Sequence, residues 1–175
     1  MTATVHTVGH GTLAAQRFIE LVEGAGLKQI VDVRSFPGSR RHPQFGRDAM
    51  ATWLANAGVG YDWAPALGGR RRTNPESHHV ALRHPSFRAY ADHMETRAFL
   101  DAVDRLVDIA NTRAVAVMCS ESVWWRCHRR LLADHLRLVE HRDVLHLMHD
   151  GRLTPHPTTD GVRAEDGTLF YDLLP

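Results

Sequence analysis

The chain has 175 residues, of which 43% are hydrophobic and 23% are charged. This length allows one domain with a substantial hydrophobic core, and this composition excludes a disordered, collagen-like or coiled-coil protein. The formal net charge of +1 gives no overall attraction to nucleic acid or to a membrane surface. Lys28 is the only lysine, so nearly every cation is an arginine. This bias suits anion binding, and a GC-rich genome would also produce it.

Nothing in the sequence indicates secretion or membrane insertion. No apolar run approaches the roughly 20 residues of a membrane span, and the first residues lack the basic and apolar segments of a secretory signal. The two cysteines, Cys119 and Cys127, cannot form a disulfide framework. We therefore expect a cytoplasmic protein that does not associate with a membrane.

In chain order, short apolar segments alternate with amphipathic ones, which predicts an α/β fold with a mainly parallel sheet flanked by helices. The predicted strands are residues 4–8, 29–33, 114–118 and 143–148, with a short strand or extended segment at 59–63. The predicted helices are residues 13–25, 48–56, 87–94 and 96–109, and a last helix that runs from a turn near Ser122 to Val139. Ser86 is the expected cap of the third helix.

Two segments lack periodicity. Residues 64–85 are predicted to form a loop, and loops of about 20 residues in compact domains are usually functional or mobile. The segment 151–175 is predicted to be an irregular tail that docks on the body through Leu169, Phe170 and Tyr171. No linker or repeat divides the chain, so residues 1–175 are predicted to form a single domain.

Reactive side chains follow three of the predicted strands. His10 follows the first strand, Asp32 and Arg34 come at the end of the second, and Cys119 and Glu121 follow the buried strand at 114–118. The carboxyl ends of parallel strands meet at one edge of a sheet, where α/β proteins bind their ligands. We therefore expect these side chains to share one site.

Cys119 is a candidate nucleophile, because it lies between a buried strand and a helix start, where positive potential favours a thiolate. Glu121 would oppose thiolate formation, and a buried cysteine is often only a small hydrophobic residue. A metal site or a reversible Cys119–Cys127 disulfide are alternatives. The cysteines lack the close spacing of a zinc knuckle, so we expect no bound metal.

Cys127, His128 and Arg129 lie near the start of the predicted last helix. Arginines in a first helical turn oppose the helix dipole, which favours anions there. A bound anion would explain this cluster, and so would a salt bridge from Arg129 to Glu121 or Asp32.

The loop at residues 34–41 combines a turn with hydroxyl and guanidinium groups that suit phosphate oxygens, and Ser39 and Arg40 are its candidate ligands. The arginines at 70–72 and three tryptophans add the basic and aromatic elements that single-stranded nucleic acid uses. A solvated charge run with core tryptophans is the alternative interpretation. The tryptophans are Trp63, Trp124 and Trp125.

Two further patterns carry little weight. The segment from Gly9 to Ala14 fits a dinucleotide-binding fingerprint, but the chain is too short for the full double unit and a substrate domain. The 13 histidines, including His78, His79 and His135, follow no metal-ligand spacing, so we expect most of them at the surface. The sequence thus identifies no cofactor.

Taken together, several segments resemble the bacterial family called domain of unknown function 488. The resemblance runs from about Thr4 to Gly151, and Gly11 stands where many members carry serine. It implies an α/β fold and one shared site, and it implies no reaction. The matching segments are Thr7-Val8-Gly9-His10, Asp32 to Arg40, Pro43-Gln44-Phe45, Leu67-Gly68-Gly69, Cys119-Ser120-Glu121 and Cys127-His128-Arg129. The implied site residues are His10, Asp32, Arg34, Ser39, Cys119, Glu121, Cys127, His128 and Arg129.

The functional expectation is an enzyme that acts on an anionic substrate, either a nucleotide or nucleic acid. In this hypothesis arginines bind the anion, a carboxylate is the general acid or base, and Cys119 is the nucleophile. The arginines are Arg34, Arg40 and Arg129, the carboxylate is Glu121 or Asp32, and His10 carries protons. A non-catalytic nucleic-acid-binding module and a thiol or metal sensor are the alternatives. The oligomeric state does not follow from the sequence.

Overall fold

The computed structural model describes residues 3–173, and a six-stranded sheet forms its centre. The strands are β1 (Val5–Gly9), β2 (Gln29–Asp32), β3 (Gly60–Trp63), β4 (Val115–Cys119), β5 (Val144–Leu147) and β6 (Leu153–Pro155). Their order across the sheet is β3-β2-β4-β1-β5-β6, and only β6 is antiparallel to its neighbour. The predicted α/β fold with a mainly parallel sheet is confirmed.

Five helices flank the sheet, namely α1 (Ala15–Gly24), α2 (Arg47–Asn56), α3 (Pro85–Met94), α4 (Arg97–Thr112) and α5 (Arg129–Leu138). The prediction of a Ser86 cap is wrong. The His84 side chain caps α3 by accepting a hydrogen bond from the Ser86 N–H, and Pro85 occupies the first helical position, where its missing N–H costs nothing. The last helix begins at Arg129, because residues 124–126 form a separate 3-10 turn before it.

Two hydrophobic layers cover the sheet. Phe18 and Leu21 of α1 pack with Leu54 of α2 against one face. The other face carries α3, α4 and α5, whose buried residues include Phe99 and Leu131. No helix within residues 3–173 is both long and apolar enough to cross a membrane.

The C-terminal segment is more regular than predicted. It contributes β6 to the sheet and then forms a hairpin of β7 (Arg163–Glu165) and β8 (Thr168–Phe170). Leu169 and Tyr171 are buried, and the Tyr171 hydroxyl donates to Asp134 Oδ2 over 2.9 Å. Strands of three residues are too short to show a hydrophobic period, so the sequence did not predict them. The sequence did predict that the segment docks through residues 169–171.

The chain segments that follow two neighbouring strands, β1 and β4, leave toward opposite faces of the sheet. Gly9 at the end of β1 pairs with Cys119 at the end of β4. The chain after β1 continues into α1 on one face, and the chain after β4 continues into α5 on the other. Such a divergence opens a crevice at the carboxyl ends of the strands, which is where parallel sheets bind ligands.

Candidate functional site

A cleft of about 710 Å³ lies at the carboxyl ends of β1, β2 and β4. The predicted site residues that line it are His10, Arg34, Ser39, Cys119, Glu121, Cys127 and His128. Asp32 and Arg129 lie beneath the lining and are almost fully buried, and Arg40 is exposed outside it, with Arg41 in its place. The strand ends therefore bring seven of the ten predicted residues together in the lining of the cleft. Asp32, Arg40 and Arg129 are not part of this lining.

The two cysteines form a close pair at the floor of the cleft. Their sulfur atoms are 2.9 Å apart, and both residues are buried. Cys119 ends β4, and Cys127 precedes α5, where its sulfur accepts the Arg129 backbone N–H over 3.5 Å. Thus Cys127 lies at the positive end of a helix and Cys119 does not.

The thiol pKa values of the two cysteines shift in opposite directions. The hydrogen bond from the Cys119 thiol lowers the pKa of Cys127 well below that of an ordinary thiol; burial opposes this effect, and His128 and Arg129 add to it. Burial and the same hydrogen bond raise the pKa of Cys119. Cys127 is therefore a better candidate for the nucleophile than Cys119, to which the sequence analysis gave that role.

Arg129 supports the cysteine pair from below. Its side chain is 1% exposed, and it donates to the Glu121 carbonyl oxygen and to Thr7 Oγ1. Burial disfavours its charge, but the sulfurs of Cys119 and Cys127 raise its pKa above the ordinary value. A salt bridge to Glu121 or Asp32, one of the two alternative explanations of this cluster, is not seen among residues 3–173, because Arg129 bonds the main chain of Glu121.

Asp32 is a structural partner of Arg34. Its carboxylate accepts two side-chain bonds from the guanidinium, of 2.9 and 2.6 Å, and a third from the Tyr61 hydroxyl. Arg34 also donates to the Phe45 carbonyl oxygen. Together with the Arg34 backbone N–H, which donates to Oδ1, these bonds engage both Asp32 oxygens, so the carboxylate orients Arg34.

His10 is neutral and engaged at both ring nitrogens. Nδ1 donates to the Gly11 carbonyl oxygen over 2.8 Å, which leaves Nε2 to accept from Arg34 over 3.3 Å. Burial lowers the pKa of His10 to about 4, partly offset by the bond to Gly11. The ring also stacks on Phe45 at 4.2 Å. His10 therefore helps to fix Arg34 at the cleft wall.

The cleft has a positive wall. Arg41, Arg70 and Arg126 line it, and no carboxylate of residues 3–173 lies within salt-bridge distance of their guanidinium groups. Among residues 3–173, Glu121 is the one residue with a carboxylate that lines the cleft, and it is exposed. Phe36 is 73% exposed at the same wall, with the Arg70 guanidinium 5.7 Å from its ring.

Two residues that line the cleft each carry a buried polar atom without a partner among the described residues, namely Ser35 Oγ and His128 Nε2. The other ring nitrogen of His128 lies 3.4 Å from the Cys127 sulfur. Because unpaired buried polar groups are costly, such atoms mark positions where a ligand or water supplies the missing bond.

Glycines allow the close approaches that build the floor. A Cβ on Gly9 would lie 1.8 Å from the Glu121 carbonyl oxygen and 2.8 Å from the Arg129 guanidinium. A Cβ on Gly69 would lie 2.5 Å from His128 Nδ1. Both positions therefore require glycine for steric reasons, and they belong to segments that the sequence analysis singled out.

A buried polar network behind the site has no signal in the sequence. His146 Nδ1 bonds Thr7 Oγ1, His146 Nε2 bonds His156, and His156 bonds Asp134, all within 3.0 Å. Trp124 stacks on His146 at 4.2 Å. The network joins residues that are up to 139 positions apart, which no local spacing reveals.

Two of the three predicted tryptophans are engaged within the protein and do not offer a ring to a ligand. Trp63 donates to the Arg34 carbonyl oxygen, Trp124 is stacked as described, and only Trp125, at 46%, is an exposed tryptophan among the described residues. The aromatic surface at the cleft is instead Phe36.

A model of the family described as domain of unknown function DUF488 matches residues 14–136 of the chain. The match includes the cysteine pair, His128, Arg129 and the Asp32–Arg34 pair, and it begins after His10. No curated protein and no solved structure matches the chain.

Proposed function

The chain belongs to the DUF488 family, and we propose that it is a cysteine-dependent enzyme that acts on an anionic substrate. The single observation that carries this proposal is the sulfur of Cys127. It lies at a helix N-terminus, 2.9 Å from the thiol of Cys119 and above the buried Arg129, on the floor of an arginine-lined cleft. We also infer that it works in the cytoplasm, where a reducing environment preserves thiols.

The substrate class follows from the wall of the cleft. Arg41, Arg70 and Arg126 would bind phosphate or carboxylate oxygens. The exposed ring of Phe36 is suited to stack on a base. We therefore favour a nucleotide, or a segment of nucleic acid, as the substrate.

In the reaction, the Cys127 thiolate forms a bond to the electrophilic atom of the substrate. The bond to the leaving group breaks with its electron pair, and the leaving group takes the proton of Cys119. Water then attacks the substrate atom that is bound to Cys127, and the bond to sulfur breaks with its electron pair, which restores the Cys127 thiolate. The proton that the water loses passes to a base and from there, through solvent, back to Cys119. Glu121, the exposed carboxylate of the cleft, is the proposed base for this second step.

Alkylation of the two thiols tests this assignment. Folded protein would be treated with iodoacetamide between about pH 5 and about pH 9, and the labelled peptides quantified by mass spectrometry. We expect Cys127 to react with a midpoint well below the ~8.5 of a free thiol and Cys119 to stay unlabelled. Cys119→Ala should raise the Cys127 midpoint, because it removes the thiol hydrogen bond that lowers the pKa of Cys127. Nucleotides should slow labelling, and Arg126→Ala should weaken that protection.

The opposite order of reactivity, Cys119 before Cys127, would refute the assignment. So would labelling of both thiols only after unfolding, since both would then be inert core residues. Protection by nucleotides without any turnover of them would favour a non-catalytic binding module.

A second candidate is a thiol sensor that forms a reversible Cys119–Cys127 disulfide, and the short sulfur–sulfur distance favours it. Diamide would oxidise the two thiols to one disulfide, and the protein should stay folded. A sensor responds to this oxidation in cells and lacks turnover when reduced, whereas the enzyme is active only when reduced.

A further inference from the structure

A second cluster of ligating side chains lies away from the cleft. The histidine-carboxylate cluster comprises His78, His79, Asp92 and Glu95, and one ligand atom from each lies within 4.8 Å of all the others. The histidines come from the long loop before α3, and the carboxylates come from the last turn of α3 and its C-cap. The cluster therefore joins the loop to the end of a helix.

The separations between these atoms suit one small cation. His79 Nε2 lies 2.8 Å from Glu95 Oε1 and 3.7 Å from Asp92 Oδ1, and His78 Nε2 lies 2.9 Å from Glu95 Oε1. Ligands of tetrahedral zinc at about 2.0–2.1 Å are separated from one another by about 3.3 Å. The observed distances lie on both sides of that value, so small side-chain adjustments would complete a tetrahedron.

An independent observation also indicates a missing partner. Asp92 Oδ2 is buried and has no hydrogen-bond partner among residues 3–173. Its companion Oδ1 accepts from the Ser77 hydroxyl over 2.8 Å, which holds the carboxylate in orientation. His79 is completely buried beside it. A buried carboxylate oxygen without a donor is unfavourable, and a cation would satisfy it.

We propose that His78, His79, Asp92 and Glu95 bind one Zn²⁺ ion, which fastens the loop at residues 68–84 to the end of α3. Two neutral imidazoles and two carboxylates neutralise a divalent charge, and this mixed nitrogen and oxygen set suits zinc better than calcium or magnesium. The same loop carries Gly69 and Arg70 into the cleft, so the ion would stabilise one wall of the site from its far side.

One contact must change when the ion binds. His79 Nδ1 accepts the Tyr171 backbone N–H over 3.3 Å, so its ring proton is on Nε2. Coordination through Nε2 moves that proton to Nδ1 and ends this long hydrogen bond. Zinc binding is therefore expected to loosen the amide of Tyr171, which hydrogen exchange would detect.

The test uses untagged, chelator-treated full-length protein and Zn²⁺ alone as the probe. Calorimetry and elemental analysis after dialysis should give one ion per chain. His79→Ala and Asp92→Asn should abolish this binding, and Glu95→Gln should weaken it at least ten-fold. His141→Asn is the matched control, because it removes an exposed histidine elsewhere in the chain and should bind as the wild type does.

The cysteine pair is the competing metal site, and a Cys119→Ser, Cys127→Ser double variant separates the two. We expect it to keep one ion per chain, and we expect Co²⁺ to give a visible spectrum without thiolate charge transfer. Circular dichroism establishes that each variant is folded. If His79→Ala does not fold, Glu95→Gln keeps the test valid, because the Glu95 side chain is 35% exposed whereas that of His79 is fully buried. Absence of saturable binding to wild type, or loss of binding in the double cysteine variant, would overturn the proposal.

Discussion

At the scale of single residues, the chemistry that we propose depends on which of two adjacent sulfurs has the lower pKa. Cys119 and Cys127 are equally buried to within a few percent, so burial does not separate them. What separates them first is the hydrogen bond between the two sulfurs, which lowers the pKa of Cys127 and raises that of Cys119, whereas the Arg129 guanidinium lowers both. The position of Cys127 before α5, where its sulfur accepts the Arg129 N–H, also favours negative charge on that sulfur.

Replacement of Arg129 should show how far its positive charge lowers the pKa of Cys127. In Arg129→Met the positive charge beneath the pair is lost, and we expect the labelling midpoint of Cys127 to rise by about 1 pH unit or more. Arg130→Met is the control, because Arg130 bonds Thr159 and does not contact either sulfur. The iodoacetamide rate as a function of pH measures both variants. Equal midpoints in the two variants would show that Arg129 has only a structural role.

At the scale of elements, the segment between β4 and α5 is held by one aromatic side chain. Trp124 stacks on His146 with an interplanar angle of 3° and meets the edge of His156. Both histidines belong to the buried network that continues to Asp134. The segment that separates the two cysteines is thereby fixed to β5 and to the residue that follows β6.

Trp124→Ala should therefore cost more stability than its neighbour Trp125→Ala. Trp124 is half-buried, so we expect a loss of about 2 kcal/mol, less than the 3–5 kcal/mol of a fully buried tryptophan. Trp125 is exposed, and its replacement should change stability by less than about 0.5 kcal/mol. Urea unfolding of both variants provides the comparison. A similar effect of the two substitutions would contradict the role given to the stack.

At the scale of the whole molecule, several histidines are buried in the neutral form. Burial lowers the pKa of His135 to about 4 and that of His146 to about 3, against an ordinary value near 6.5. Between these values the unfolded chain binds protons that the folded chain does not. Stability is therefore complete above about pH 6.5 and falls as the pH decreases toward 4.

His135 allows this effect to be measured at one residue. Its ring packs edge-on against Phe99, and Glu140, the closest carboxylate, lies 3.6 Å away. The wild type should lose about 1.4 kcal/mol per pH unit below pH 6.5 from this group alone. His135→Leu should reduce the slope by that amount, whereas the exposed His141→Asn should not. Unfolding free energies at a series of pH values give the slopes, and parallel slopes for His135→Leu and wild type would disprove the assignment.

The sequence by itself determined the strands and helices in which hydrophobic residues recur with a regular spacing. The buried strands at β1, β2, β4 and β5 and all five helices were predictable, because apolar spacing reports which face of an element is buried. The convergence of His10, Arg34 and Cys119 was predictable for a related reason, since the ends of parallel strands share one edge of the sheet.

Only the tertiary structure decided the roles within the site. Arg41 lines the cleft and Arg40 does not, the Asp32 carboxylate bonds Arg34 and Tyr61, and Cys127 rather than Cys119 has the lowered pKa. The buried histidine network and the histidine-carboxylate cluster were likewise invisible. Periodicity records how one segment meets the core, whereas the proton and charge of a side chain depend on atoms that the fold brings from distant positions in the chain.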